Sequence, residues 1–68
     1  MKKIYKYNVH PRTDEDGEIY FVMEWRILGR DFEWKTIAPL VSSTLDKIKK
    51  KIKAIKEDGG EVLYDEAL

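Results

Sequence analysis

From Glu18 to Leu28 the chain alternates without a break. Ile19, Phe21, Met23, Trp25 and Ile27 fall on one side, and Glu18, Tyr20, Val22, Glu24, Arg26 and Leu28 on the other. Successive side chains of a β-strand point to opposite faces, so this period of two fixes a long strand with one wholly apolar face. Whatever else the chain does, it must cover that face.

The run that follows, Phe32 to Ala38, sets Phe32, Trp34 and Thr36 against Glu33, Lys35 and Ile37 and also reads as a strand. A two-residue loop at Gly29-Arg30 predicts a tight hairpin between the two, because Gly accepts the positive φ of primed turns. That register places Ile27 opposite Phe32, Trp25 opposite Trp34 and Met23 opposite Thr36. On the other face it pairs Arg26 with Glu33, Glu24 with Lys35, and Val22 with Ile37. An earlier strand is expected over Lys3 to Val9, with Tyr5, Tyr7 and Val9 on the core face. A loop from about His10 to Gly17, holding Pro11 and the acidic run Asp14-Glu15-Asp16-Gly17, joins it to the central strand.

Beyond Ala38-Pro39, which ends the third strand, Ser43-Thr44-Leu45-Asp46 reads as a helix entry with Ser43 as N-cap. Leu45, Ile48, Ile52 and Ile55 recur at spacings of three and four and form one apolar stripe. Lys53 and Lys56 suit the last turn, and Gly59 marks the stop. Val62 to Tyr64 follows as a short fourth strand, with a frayed end over Asp65 to Leu68. The expected fold class is therefore α+β, a single domain over residues 1–68 in the order β-β-β-α-β. It has two layers: a three-stranded antiparallel meander and one helix, with the fourth strand added. Tyr5, Tyr7, Ile19, Phe21, Met23, Trp25, Ile27, Phe32 and Trp34 should meet the helix stripe. The fourth strand should run parallel to the first. Placing it beside the first strand gives the order 4-1-2-3; a place beside the third is the alternative.

Composition then removes function classes. The 68 residues contain no Cys and one His, His10. Disulfides, thiolate chemistry, Cys-based zinc sites and multi-His metal sites are excluded, and no cofactor is implied. No apolar run approaches the ~18 residues that span a bilayer, and no signal-peptide core follows Met1, so a soluble protein of a reducing, cytoplasmic compartment is expected. Thirteen basic residues balance thirteen acidic ones, but in blocks: residues 1–12 carry a net +4, 13–24 a net −5, 44–56 a net +5 and 57–68 a net −5. Gln is absent and Asn8 is the single Asn, a pattern of heat-stable and of designed proteins.

The chemistry-bearing clusters are few. Asp14-Glu15-Asp16-Gly17-Glu18 places Gly fourth, where an EF-hand loop needs it sixth, so it reads as a solvated turn offsetting Lys2, Lys3 and Lys6. His10 lies in a loop with no nucleophile or orienting partner, since Ser42 and Ser43 belong to the helix entry; it reads as a solvated His. No catalytic trio can be assembled, and an enzyme is not expected. Lys47, Lys49, Lys50, Lys51, Lys53 and Lys56 cover most of the exposed helix circumference. They read as a solvated face or as non-specific phosphate contacts, with no Arg among them for bidentate base reading. The sheet face away from the helix is more distinctive. Ile4, Tyr20, Val22 and Ile37 form an apolar cluster there, rimmed by Lys6, Glu24, Arg26, Glu33 and Lys35, as interaction surfaces are; the alternative is ordinary scattered exposed apolar residues, or cover from Pro39-Leu40-Val41 and the C-terminal tail.

The pairs Arg26/Glu33 and Glu24/Lys35, the capped helix from Ser43 to Gly59, and the ending Lys56-Glu57-Asp58-Gly59-Gly60-Glu61-Val62-Leu63 resemble those of computationally designed (de novo) α+β mini-proteins. The resemblance implies a thermostable scaffold. The His10–Gly17 loop, the Ala38-Pro39-Leu40-Val41 connection and the apolar second face depart from that style. The expected function is a non-enzymatic scaffold or protein-interaction module, through a protein partner or self-association at Ile4, Tyr20, Val22 and Ile37. The alternative is a small nucleic-acid binder using Lys47, Lys49, Lys50, Lys53 and Lys56. Neither a metal nor a membrane enters either reading.

Overall fold

The computed structural model describes residues 2–68. They form β1 (Ile4–Thr13), β2 (Ile19–Leu28), β3 (Trp34–Ser42), α1 (Leu45–Glu57) and β4 (Glu61–Tyr64). The strands make one sheet in the order β3-β2-β1-β4. β2 is antiparallel to both β1 and β3, and β4 is parallel to β1. This is the β-β-β-α-β, α+β arrangement that the sequence predicts, with the fourth strand beside the first.

α1 lies on the face that carries Tyr5, Met23 and Trp25. Met23, Ile48 and Ile55 are the buried apolar side chains of the described residues, Met23 at 0% exposure. Tyr5 stacks on Trp25 with ring centroids 5.7 Å apart, and the Trp25 indole N–H donates to the Ala38 carbonyl at 2.8 Å. The helix ends as its glycine predicts. Gly59 takes a φ of 86°, its N–H donates to the Lys56 carbonyl, and the Gly60 N–H reaches back to Ile55. These two bonds are a Schellman closure. The entry differs from the expected Ser43 cap. Thr44 holds the cap position without a side-chain bond, and buried Ser42 accepts the Thr44 N–H on its Oγ at 3.1 Å. Ser42 can do this because β3 runs on into the helix entry.

β1 is longer than Lys3–Val9: it runs through Pro11 to Thr13, paired with β2 as far as Ile19. The reason lies in which edge Pro11 faces. Lys3 and Tyr7 turn their carbonyls toward the β4 side, where Glu61 and Asp65 donate to them. The two-residue alternation sends the ring nitrogen of Pro11 the same way, past the end of β4, so no ladder bond is lost. The connecting loop shrinks to residues 14–18.

The β2–β3 register also differs from the tight hairpin. Its turn spans residues 29–33. Trp25 pairs with Ile37, Arg26 with Thr36, Leu28 with Trp34, and Val22 with Val41. Over Trp34–Ile37 the shift is by three residues, an odd number, so it exchanges the faces of that part of β3; past the bulge described below, at Leu40 to Ser42, it is four. Trp34 moves off the helix side, and Ile37 moves onto it. The expected charge pairs Arg26/Glu33 and Glu24/Lys35 do not form; Lys35 instead bonds Asp31 at 3.0 Å. A break in register between Met23 and Trp25 sets Ala38 and Pro39 against the single residue Glu24. This bulge on an edge strand absorbs the missing N–H of Pro39 and lets both Ile37 and Leu40 face the helix. β3 therefore continues through Pro39 to Ser42 where the sequence suggests a stop. Three more expected core residues, Ile19, Phe32 and Leu45, are exposed.

β4 ends opposite Tyr7 and β3 opposite Phe21, so β1 and β2 continue beyond them as a two-stranded arm whose tip, residues 11–19, is exposed. The molecule measures 44 × 23 × 18 Å, with a radius of gyration of 13.0 Å. A compact domain of this length would have a radius of about 11 Å, and the arm accounts for the difference.

Candidate functional site

The sheet face opposite α1 is not a continuous apolar surface. The C-terminal residues, expected to fray, strap it across the middle. The Asp65 N–H donates to the Tyr7 carbonyl at 2.8 Å. Asn8, 6% exposed, donates its side-chain amide to the Asp65 carbonyl at 2.9 Å and accepts the Tyr64 hydroxyl at 3.2 Å. Lys6 pairs with the Asp65 carboxylate at 3.5 Å. It is this partner, and not the acidic loop, that neutralises Lys6. Leu68 then reaches a small hollow bordered by Glu24, Trp25, Arg26, Thr36, Ile37 and Pro39.

The strap separates the residues named from the sequence. Ile4 lies on one side of it, next to the Leu28/Trp34 pair, with the Lys6 ammonium 4.4 Å from the centre of the Trp34 ring. Tyr20 and Val22 lie on the other side, toward the arm, where Val22 pairs with Val41, itself 57% exposed. Ile37 belongs to neither group. Its pairing with Trp25 puts it on the helix side, so the four-residue cluster of Ile4, Tyr20, Val22 and Ile37 is corrected to two separate patches. His10, expected to be solvated in a loop, is paired with Val22 inside β1. Its Nε2 is enclosed without a hydrogen-bond partner and lies 3.9 Å from the Glu24 carboxylate.

The two hairpin turns bring out a residue that sequence reasoning placed in the core. In the first turn the Asp14 N–H donates to the Glu18 carbonyl and the Gly17 N–H to the Asp14 carbonyl. In the second the Gly29 N–H donates to Glu33 and the Phe32 N–H to Gly29. The bond patterns are the same, and both turns close on a left-handed residue: Gly17 at φ 82° and Phe32 at φ 61°. This turn favours Gly there. Phe32 is nonetheless 85% exposed. Aligning Asp16-Gly17-Glu18 with Asp31-Phe32-Glu33 is the sequence signal that would have found it. Asp31 stiffens the second turn: its Oδ1 accepts the Glu33 N–H and its Oδ2 the Lys35 ammonium. The Lys35 hydrogen bond first, then the Glu33 N–H, hold its carboxyl below the ordinary carboxylate value. In the acidic loop, likewise, Asp14 Oδ1 accepts the N–H groups of Asp16 and Glu18, which makes that loop a self-capped turn.

Lys47, Lys49, Lys50, Lys53 and Lys56 are all exposed along α1. Lys53 lies 4.0 Å from Glu57. Lys51 differs from them, since its ammonium sits 5.6 Å from the centre of the Trp25 ring. Among the described residues no group of three His, Asp or Glu side chains could hold a metal ion, and no helix is long and apolar enough to cross a membrane. Compared with known proteins, the chain matches no family model, no curated protein and no solved structure.

Proposed function

We propose that the chain is a non-enzymatic protein-interaction module whose partner surface lies at the turn end of the sheet face opposite α1. The observation that carries this reading is Phe32. A left-handed backbone costs a residue with a Cβ about 1–2 kcal/mol, and an aromatic ring in water recovers none of it. Strain kept at an exposed position is a mark of function. A chain built in the designed style would put Gly at Phe32, so the residue stands out for a natural or a designed origin alike.

Phe32 has suitable neighbours. The row Trp34, Leu28 and Ile4 crosses three adjacent strands on the same face, next to that turn. Lys6 and Arg26 supply charges on the same face as that row, and the Lys35–Asp31 pair lies at the turn. An aromatic anchor beside a half-buried apolar row with a charged border is the anatomy of a binding hot spot. Of the sequence-named residues Ile4 belongs to this surface; Tyr20 and Val22, beyond the strap, do not.

Site-specific photo-crosslinking tests the reading. p-Benzoylphenylalanine at position 32 keeps an aromatic ring in place and should capture one discrete protein partner, or a second copy of the chain. The same probe at exposed Lys50 should not. Equal, diffuse labelling from both positions would rule the surface out.

A further inference from the structure

We propose that a cleft between the C-terminal turn of α1 and the start of β1 binds a phosphate-bearing nucleobase, as a free nucleotide or as one unit of a single strand. This site lies on the helix side of the sheet and is independent of the interaction surface at Phe32. The cleft holds about 290 Å³ and is floored by the stacked Tyr5–Trp25 pair. That volume, at the lower edge of the roughly 300–1,000 Å³ of small-molecule sites, suits one nucleotide and not a larger cofactor.

Its charge points to an anion. Lys2, Lys3 and Lys51 line it against the single carboxylate of Asp58. The end of a helix would ordinarily repel a phosphate through its free carbonyls. Here the carbonyls of Ala54, Ile55 and Lys56 are taken up by the N–H groups of Asp58, Gly60 and Gly59. A Cβ at Gly59 would meet nothing within 4 Å, so the backbone wall leaves the mouth open. Aromatic side chains with ammonium groups around them are the combination that holds a base by stacking and its phosphate by charge. Lys51 brings its ammonium over the aromatic floor, 5.6 Å from the Trp25 ring centre. The remaining helix lysines have no ring beside them.

The test follows the amide signals of Gly59 and Gly60 and the Trp25 indole signal in the unmodified protein at low salt. Thymidine monophosphate, a short oligothymidylate, thymidine and inorganic phosphate are titrated separately. The nucleotide or the oligomer should shift these signals to saturation, and thymidine or phosphate alone should bind about tenfold more weakly. Equal affinity for nucleotide and oligomer marks a free-nucleotide site, and a tighter oligomer marks a strand site. Lys3→Glu with Lys51→Glu should weaken binding about tenfold and flatten its salt dependence. Lys47→Glu with Lys50→Glu, the same change of charge outside the cleft, should leave it within about threefold. If none of the four ligands saturates the cleft signals, that overturns the proposal. So does an equal loss in both double variants, which would mean a basic helix without a site.

Discussion

Phe32 occupies in the second hairpin the left-handed position that Gly17 occupies in the first, within the same pattern of turn hydrogen bonds. The molecule thus contains its own control for the cost of that side chain. Phe32→Gly should raise stability by about 1 kcal/mol, within the range set by the left-handed penalty. In a domain of this size that raises the thermal midpoint by about 4–8 °C. Circular dichroism melting checks it. The same variant should lose the partner captured at position 32, separating stability from binding.

The two tryptophans should not behave alike. Trp25 stacks on Tyr5 and bonds Ala38 on the helix side, and Trp25→Ala should cost about 3–5 kcal/mol. Trp34, half-buried on the opposite face under Lys6, should cost roughly half as much on the same scale. Urea midpoints of the two variants that coincide would return Trp34 to the core.

Asn8 ties the C-terminal strap to the sheet through Tyr64 and Asp65. Asn8→Ala leaves both partners without their bonds and should cost about 1–3 kcal/mol. Hydrogen exchange at the Asp65 amide should speed up more than exchange at Met23. A uniform change across the sheet would show instead that the strap has no independent stability.

Acid should loosen the second turn. The folded-state pKa of Asp31 is held below the ordinary 3.8 by Lys35 and Glu33. A depressed carboxyl contributes stability that is present above the unfolded-state value and is lost as pH falls through the folded one. Stability should therefore decline in part below about pH 3.8 through this group, by a small amount because it is exposed to solvent. Asp31→Asn should remove that portion of the acid slope, measured as thermal midpoint against pH.

The extent of the fold that could be read from the chain follows the reach of each signal. Local periodicity is a short-range property, and it located β2, α1 and the Gly59 stop; it also set the order of the elements. Registers depend on turns and bulges, where one residue decides everything downstream. Arg26/Glu33 and Glu24/Lys35 match so well that a two-residue turn looks fixed, yet the longer turn around Asp31 moves β3 by three positions and the bulge at Ala38–Pro39 by one more. That one shift put Trp34 and Ile37 on the wrong faces and merged two patches into one. Pro11 and Pro39 were read as strand ends because a sequence does not reveal which edge a missing N–H will face. Cover of the second face by the C-terminal tail can be weighed from the sequence but not selected there, because Asn8 and Asp65, which tie it down, meet across almost the whole chain.

The bond from the Glu61 N–H to the Lys3 carbonyl has a bearing on assembly kinetics. β1, β2 and β3 join through near neighbours and can zip early, whereas β4 docks only after α1 has formed and the chain ends have met. Until then β1 from Ile4 to Tyr7 is an unprotected edge, waiting for a parallel strand. In concentrated solution a second chain can supply that strand first, with Gly59-Gly60 as the hinge. Refolding from denaturant at high concentration should accordingly yield a swapped dimer that exchanges β4 and passes slowly to monomer on dilution.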